Sequence, residues 1–477
     1  MNHSLIKSGF WTAYGAIAIR FCALLSNLVL ARLLLPSEFG VIGIAWVFWS
    51  FVALFTQDTT GSFIVYKGTE DRRYLNTTYT ISLIIGLTFG LGLVTVSPLI
   101  ASFFGEQNLV WLLIGFAFNF LLSSAYCVYA GVMTRQMQYR ELAYSALISS
   151  ITRLLFTTGS ALLGLSYWSF LIGDTASWLI LCILTRYQSG HHFRLQIDSE
   201  AKSEVLSYCL GAVGSSFGYF VNANIDNFVV GKLLGSTSLG YYNLAYQMTM
   251  SLSVVFSQVI AQLGMPVFAQ IVDDRQSEST LVKVVEQIAF LTAPLYALFF
   301  LVIDKQVISL LFGPKWIPIC TVIPGLLIFA YFRVLNTPLN SMLSAKGRPE
   351  VNARVNLYIA PLAVVSFVIG ALNGGIVGVS IAVALVLGIF WTVIWWWVGC
   401  RELGWSMMKF LIACFIPALI ACPAIAISFS LPLILKPLIF ISTYIVCVRI
   451  IVPEQFFSYQ TLAGRFVNQI PTLWNKK

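Results

Sequence analysis

Three arginines and four aspartates stand inside or beside long apolar runs of this sequence. Arg20, Arg153 and Arg333 fall near the middle of three such runs, and Asp58, Asp174, Asp226 and Asp304 lie nearer the ends of four others. A charge at membrane depth is expensive, so it is expected to face a partner or a water-filled cavity. The guanidinium fork suits planar, multidentate recognition of phosphate or carboxylate, so Arg20, Arg153 and Arg333 are read as substrate-binding residues for an anion. The competing reading is an internal ion pair, for example Arg20 with Asp58. Asp58, Asp226 and Asp174 are read as ion-coupling residues, able to take up a proton or a sodium ion.

Helical spacing then shows what surrounds these charges. Gly211, Ser215, Gly218, Asn222 and Asp226 step along one face, as do Ala16, Arg20, Ala23 and Asn27. Arg333, Thr337, Asn340 and Ser344 make a third stripe, and Tyr242, Tyr246, Thr249, Ser253 and Ser257 a fourth. Small and hydroxyl residues alone suit close helix packing in lipid. Stripes that also carry Arg or Asp suit a hydrated cavity. Tyr242 and Tyr246 are candidates to stack on sugar faces, with Asn222 and Asn340 as polar contacts nearby. Trp46, Trp49 and Trp395 to Trp397 are expected in lipid-facing or interfacial belts.

Nothing in the chain suggests an enzyme or a cofactor. No Ser/His/Asp order, HExxH pattern or phosphate loop occurs, and the acids are scattered over separate runs. The cysteines fall mostly in apolar runs without a CxxC pair, as small buried hydrophobes do. His191 and His192 have no further ligand near them in sequence, so no metal site is expected.

The elements that must position these residues follow from composition. Of 477 residues, 58% are hydrophobic and only 10% charged, against about 25% charged in a soluble domain. Lipid must be the main solvent, and the net charge of +9 is not a nucleic-acid footprint. Runs long enough to cross a bilayer recur at 11–33, 39–64, 77–103, 109–133, 143–163, 166–185, 205–232, 239–268, 284–312, 317–342, 353–372, 375–398, 409–427 and 437–453. The first reads as a retained helix and not as a cleaved signal peptide. Alternate connectors collect twenty of the 28 Lys and Arg residues, including Arg72, Arg135 and Arg275, and the other connectors hold five. By the positive-inside rule both termini are expected in the cytoplasm.

An internal repeat appears at an offset of 200. The segment from Asn27 through Arg32 to Leu34 aligns with Asn227 through Lys232 to Leu234, and Gly40 falls on Gly240 and Ala45 on Ala245. Two copies of six helices with the same orientation are expected, with substrate between them near the midplane. The expected organisation is a six-helix lobe over 1–190, a cytoplasmic linker over 191–204, and a second six-helix lobe over 205–400. Two extra helices over 401–453 and a cytoplasmic tail over 454–477 follow.

Four runs of residues carry a family resemblance. They are Asn224-Ile225-Asp226 through Lys232 to Gly235 with Leu239 to Tyr246, Ala31 to Gly40, Leu311 to Trp316, and Asn336 to Arg348. This set resembles the polysaccharide transporter branch of the MOP flippase superfamily, in particular Wzx-type exporters of the colanic-acid kind. The resemblance implies an all-α integral membrane protein with about fourteen transmembrane helices, in two pseudo-symmetric six-helix lobes plus two C-terminal helices. It implies alternating access in a bacterial inner membrane, with an undecaprenyl-diphosphate-linked oligosaccharide as cargo and an ion gradient as drive. The partners it implies are the lipid-linked oligosaccharide, membrane lipids, and a glycan polymerase with its export machinery. Two alternatives on the same fold stay open: a peptidoglycan-precursor (lipid II) flippase, and a MATE-like multidrug or cation antiporter. The second sits poorly with Arg20, because drug exporters of the superfamily commonly carry an acid in the first helix.

Overall fold

A computed structural model describes residues 3–56, 59–269, 276–348 and 350–453. Asp58, Arg275 and the tail beyond 453 lie outside the described residues, as do the side chains of Ala16 and Ser215.

The helices are α1 (His3–Leu33), α2 (Pro36–Thr56), α3 (Thr60–Lys67), α4 (Arg72–Phe104), α5 (Leu109–Arg135), α6 (Tyr139–Leu162), α7 (Trp168–Ser189) and α8 (Ser199–Ala269). They continue as α9 (Ser277–Val302), α10 (Lys305–Phe312), α11 (Ile323–Ala345), α12 (Glu350–Val383), α13 (Trp391–Leu403), α14 (Met407–Phe429) and α15 (Leu435–Ile451). A 3₁₀ stretch (Pro314–Thr321) leads into α11 at an angle of 56°, and a π-helical stretch (Ala384–Phe390) joins α12 to α13.

Two of these helices are hairpins. Gly235, at φ 82° and ψ 173°, breaks α8. The Tyr242 hydroxyl donates to Asp226 at 2.8 Å although the two are 16 positions apart, which in a straight helix would be about 24 Å. The chain therefore reverses at Gly235, in a conformation that only glycine adopts cheaply. Gly375, at φ 56°, does the same in α12, where Gly370 and Gly378 meet backbone to backbone. Taking α2 with α3, α9 with α10, the second limb of α12 with α13, and the other hairpin limbs separately, the described residues make fourteen helical passes, in the order that the apolar runs predict. Among the described residues, seven helical stretches are long and apolar enough by themselves to cross a membrane. The more polar α1, α6 and α8 have neighbours in the bundle to shield their stripes.

Helix ends are closed by local chemistry. Asp71 caps α4 by accepting from the Arg73 N–H at 2.8 Å, and Gly105 ends that helix in the left-handed region. Asp304, placed by the sequence reading at membrane depth, instead caps α10 by accepting from the N–H groups of Gln306 and Val307, both at 2.9 Å. Its charge is satisfied by a helix N-terminus. Residues 190–198 run extended along α4: Asn76 Oδ1 accepts from the Arg194 N–H, and Thr77 Oγ1 from that of Asp198. Residues 199–204, expected as linker, already belong to α8.

In the first half α1 packs on α6, α4 and α7 on α5, and α6 on α7. In the second, α11 and α12 pack on α8, and α9 packs on α11, α14 and α15. The halves meet chiefly where α2 lies along both limbs of α8. A Cβ on Gly40 would sit 1.8 Å from the Ser236 carbonyl oxygen, and one on Gly240 would sit 1.7 Å from that of Pro36. Position 36 pairs with 240 and position 40 with 236, so the contact is reciprocal under the 200-residue repeat. Around this seam Lys315 Nζ donates to the Leu34 carbonyl at 2.7 Å, Trp316 Nε1 to that of Ala31 at 2.7 Å, and Arg32 to those of Leu310 and Leu311.

The tryptophan expectation needs correction. Trp395 and Trp396 are wholly buried; Trp395 donates to the Asn336 carbonyl, and Trp396 stacks on Phe410. Trp49 stacks on Phe120, and Trp46 reaches Asp174. Trp397 alone of the five is exposed. Large flat rings fill the gaps between crossing helices, and the indole N–H groups of Trp395 and Trp46 are accepted by a carbonyl and a carboxylate.

Candidate functional site

The polar stripes of α8 and α11 converge inside the second half on a cavity of about 460 Å³. The first limb of α8 contributes Tyr219 and Asn222, and its second limb Ser257 and Gln258. From α11 come Arg333, Asn336, Thr337 and Asn340, and from α12 Asn352 and Asn356. Gly218 allows the approach, because its missing Cβ would lie 2.9 Å from the Leu357 nitrogen on α12.

The amides form a ladder across three helices. Asn222 Nδ2 donates to the Asn356 carbonyl at 2.9 Å and to its Oδ1 at 3.0 Å. Asn356 Nδ2 donates to Asn352 Oδ1 at 2.6 Å, and Asn352 Nδ2 to Asn340 Oδ1 at 2.9 Å. Asn336 donates to Thr392 at 2.8 Å. The Oδ1 atoms of Asn222 and Asn336, both buried, find no donor among the described residues. Buried acceptors of this kind call for water or a hydroxylated ligand.

Arg333 stands at the edge of the ladder. It donates to the Tyr219 hydroxyl at 2.8 Å and to the Tyr246 hydroxyl at 3.3 Å, and its guanidinium lies over the Phe329 ring at 5.9 Å. Neither of these partners carries a formal charge. Arg20, on α1 in the other half, lies close enough for the two charges to repel one another.

The remaining candidates fall into three groups. Arg153 is paired with Asp174, which also accepts from Trp46 Nε1 at 3.3 Å. The side chains of this pair are 28% and 12% exposed, so in this conformation each satisfies the other inside the first half. Asp226 is buried and accepts from Tyr242, whose ring is also wholly buried and turns no face to the cavity. Tyr246 is partly exposed beside Arg333. Asn27, at the end of the α1 stripe, donates to Gln247 at 2.6 Å across the halves. The sequence reading missed Tyr219, Asn336, Asn352 and Asn356. Asn352 and Asn356, four apart in an apolar run, were the available signal.

The fold is that of a multi-pass, all-α inner-membrane protein of the MOP type. Its fold is similar to that of lipid II flippase MurJ in an inward closed conformation, with a TM-score of 0.71 at 13% identity over 94% of this chain and 99% of that one. A MATE-family multidrug resistance transporter in an inward-facing conformation gives 0.64 at 16% identity, over 83% and 99%. Residues 29–321 match the family described as "Polysaccharide biosynthesis protein", which is more than half the chain, and the protein belongs to that family, in its Wzx-type polysaccharide transporter branch. The lipopolysaccharide biosynthesis protein WzxC of Escherichia coli (strain K12) is 22% identical over 449 residues, covering 91% of this chain and 89% of WzxC.

Proposed function

We propose that this protein moves a polyprenyl-diphosphate-linked oligosaccharide from the inner to the outer leaflet, by alternating access between its halves. The observation that carries this reading is Arg333. It is a half-buried cation hydrogen-bonded to two phenolic hydroxyls at the rim of an amide-lined cavity, with Asp226 the carboxylate in its electrostatic reach and Arg20 a second half-buried cation on α1 of the other half. An anionic diphosphate or acidic sugar satisfies the cations, and sugar hydroxyls satisfy the orphaned amide oxygens. A cationic drug would meet like charge there. The similarity to WzxC, whose name places it in lipopolysaccharide biosynthesis, supports a role in polysaccharide assembly. On this reading both termini are cytoplasmic, the glycine seam is the periplasmic gate, and the product passes to a polymerase and export machinery. Asp226, and Asp58 outside the described residues, would couple return of the empty carrier to an ion gradient.

The test is glycan export by cells relying on this chain, measured per unit of protein in the membrane. Hydrogen bonds to charged groups are worth about 1.5–3 kcal/mol, so Arg333→Ala and Arg20→Ala should each cost about tenfold or more in rate. Arg333→Lys keeps the charge and loses the fork, so it should retain part of the activity. Wild-type export by both alanine variants would sink the assignment.

A further inference from the structure

A second cavity, of about 640 Å³, lies on the opposite side of the first limb of α8 from the amide ladder. It is a groove between α2, α4 and that limb, so both halves line it. Phe51 of α2 and Phe89 of α4 pack with ring centroids 6.2 Å apart, and Phe51 meets Phe220 of α8 at 5.4 Å. The lining is almost wholly apolar. The Asn224 amide donates to the Phe220 carbonyl at 2.9 Å, which spends one of its two N–H groups within its own helix. Gly92 opens the floor: a Cβ built there meets nothing within 4 Å.

One helix thus separates two environments, with Tyr219 and Asn222 on the polar side and Phe220 on the apolar side. That wall is about 10–12 Å thick, side chains included. A cargo with a charged head held at Arg333 and Arg20 must pass its tail into lipid through a seam between the halves. This groove is such a seam, and it lies alongside the middle of α2, at Val47 to Val52. We propose that it holds the polyprenyl tail of the cargo; this rests on the flippase reading above. Because both halves form its walls, their relative motion reshapes the groove and carries the tail along with the head.

The test uses the full chain in phosphatidylethanolamine vesicles, with a photoreactive benzophenone residue replacing Phe89 or Phe220. The probe is alkyne-tagged undecaprenyl phosphate, which carries no glycan. Control positions are Leu99 and Trp111, whose side chains are exposed on the outside of the bundle. Labelling at the groove positions should exceed the controls several-fold and be competed by untagged undecaprenyl phosphate. The Gly92→Phe substitution, which fills the groove from its open floor, should abolish the excess. Equal labelling at groove and control positions, or competition by phosphatidylethanolamine as effective as that by undecaprenyl phosphate, would show an ordinary lipid crevice and overturn the proposal. The readout is independent of glycan export: a wild type that exports glycan without groove labelling overturns the groove alone. One that labels but exports nothing overturns the flippase reading, on which the proposal rests.

Discussion

Replacing Gly240 by alanine tests whether the reciprocal glycine contact holds the seam between the halves shut. The added Cβ would start 1.7 Å from the Pro36 carbonyl oxygen, while ordinary contact begins at 3.4 Å. The obstacle is backbone at a helix start, so no rotamer change relieves it. The second limb of α8 and α2 must separate by about 1.7 Å, the difference between those two distances. Overpacking of this kind costs about 1–3 kcal/mol. If the cost falls only on the state in which the seam is closed, the equilibrium between the two states shifts by about 5- to 150-fold. Gly40→Ala attacks the symmetry-related contact with Ser236, and the double variant should be less than additive because both substitutions open one seam. Spin labels at Leu163 and Leu310, exposed on different halves, read the opening as a second, longer distance population. Gly214→Ala is the control, because a Cβ there meets nothing within 4 Å. A distance distribution for Gly240→Ala identical to that of Gly214→Ala would refute the reasoning.

Three further expectations follow from specific contacts. Breaking the Arg153–Asp174 pair on one side should destabilise the protein by about 3 kcal/mol, and removing both partners should cost less than either single change; thermal unfolding in detergent reads both. The Lys67 ammonium, bonded to Glu204 at 2.6 Å, holds that carboxyl below its usual range, with the Tyr74 hydroxyl as a second donor. The tether between α3 and α8 should therefore persist at neutral pH and be lost as pH falls through the depressed value; a pH titration of the distance between labels on these helices, flat in Glu204→Gln, checks it. On the coupling role proposed for Asp226, Asp226→Asn should uncouple transport from the ion gradient while Tyr242 keeps an acceptor; full gradient dependence in that variant would eliminate the residue.

The number and order of the spans were legible in the sequence because a bilayer sets a length that each apolar run must meet, whatever its neighbours. The 200-residue repeat was legible in part, while the reversals at Gly235 and Gly375, which need a residue that tolerates positive φ, drew no notice in the sequence. Which residues of α8 and α11 share a face follows from helical spacing alone. Which face meets which is a different matter. Helical periodicity orients a helix about its own axis and carries no information on the helix across from it. That is why Asp174 looked free until α6 brought Arg153 against it, and why Trp395 and Trp396 looked like lipid anchors until α11 and α14 enclosed them. It is also why Asn352 and Asn356 drew no notice until α12 folded them onto Asn222 and Asn340. The sites of this protein are made between helices far apart in the chain, so only the tertiary structure could assemble them.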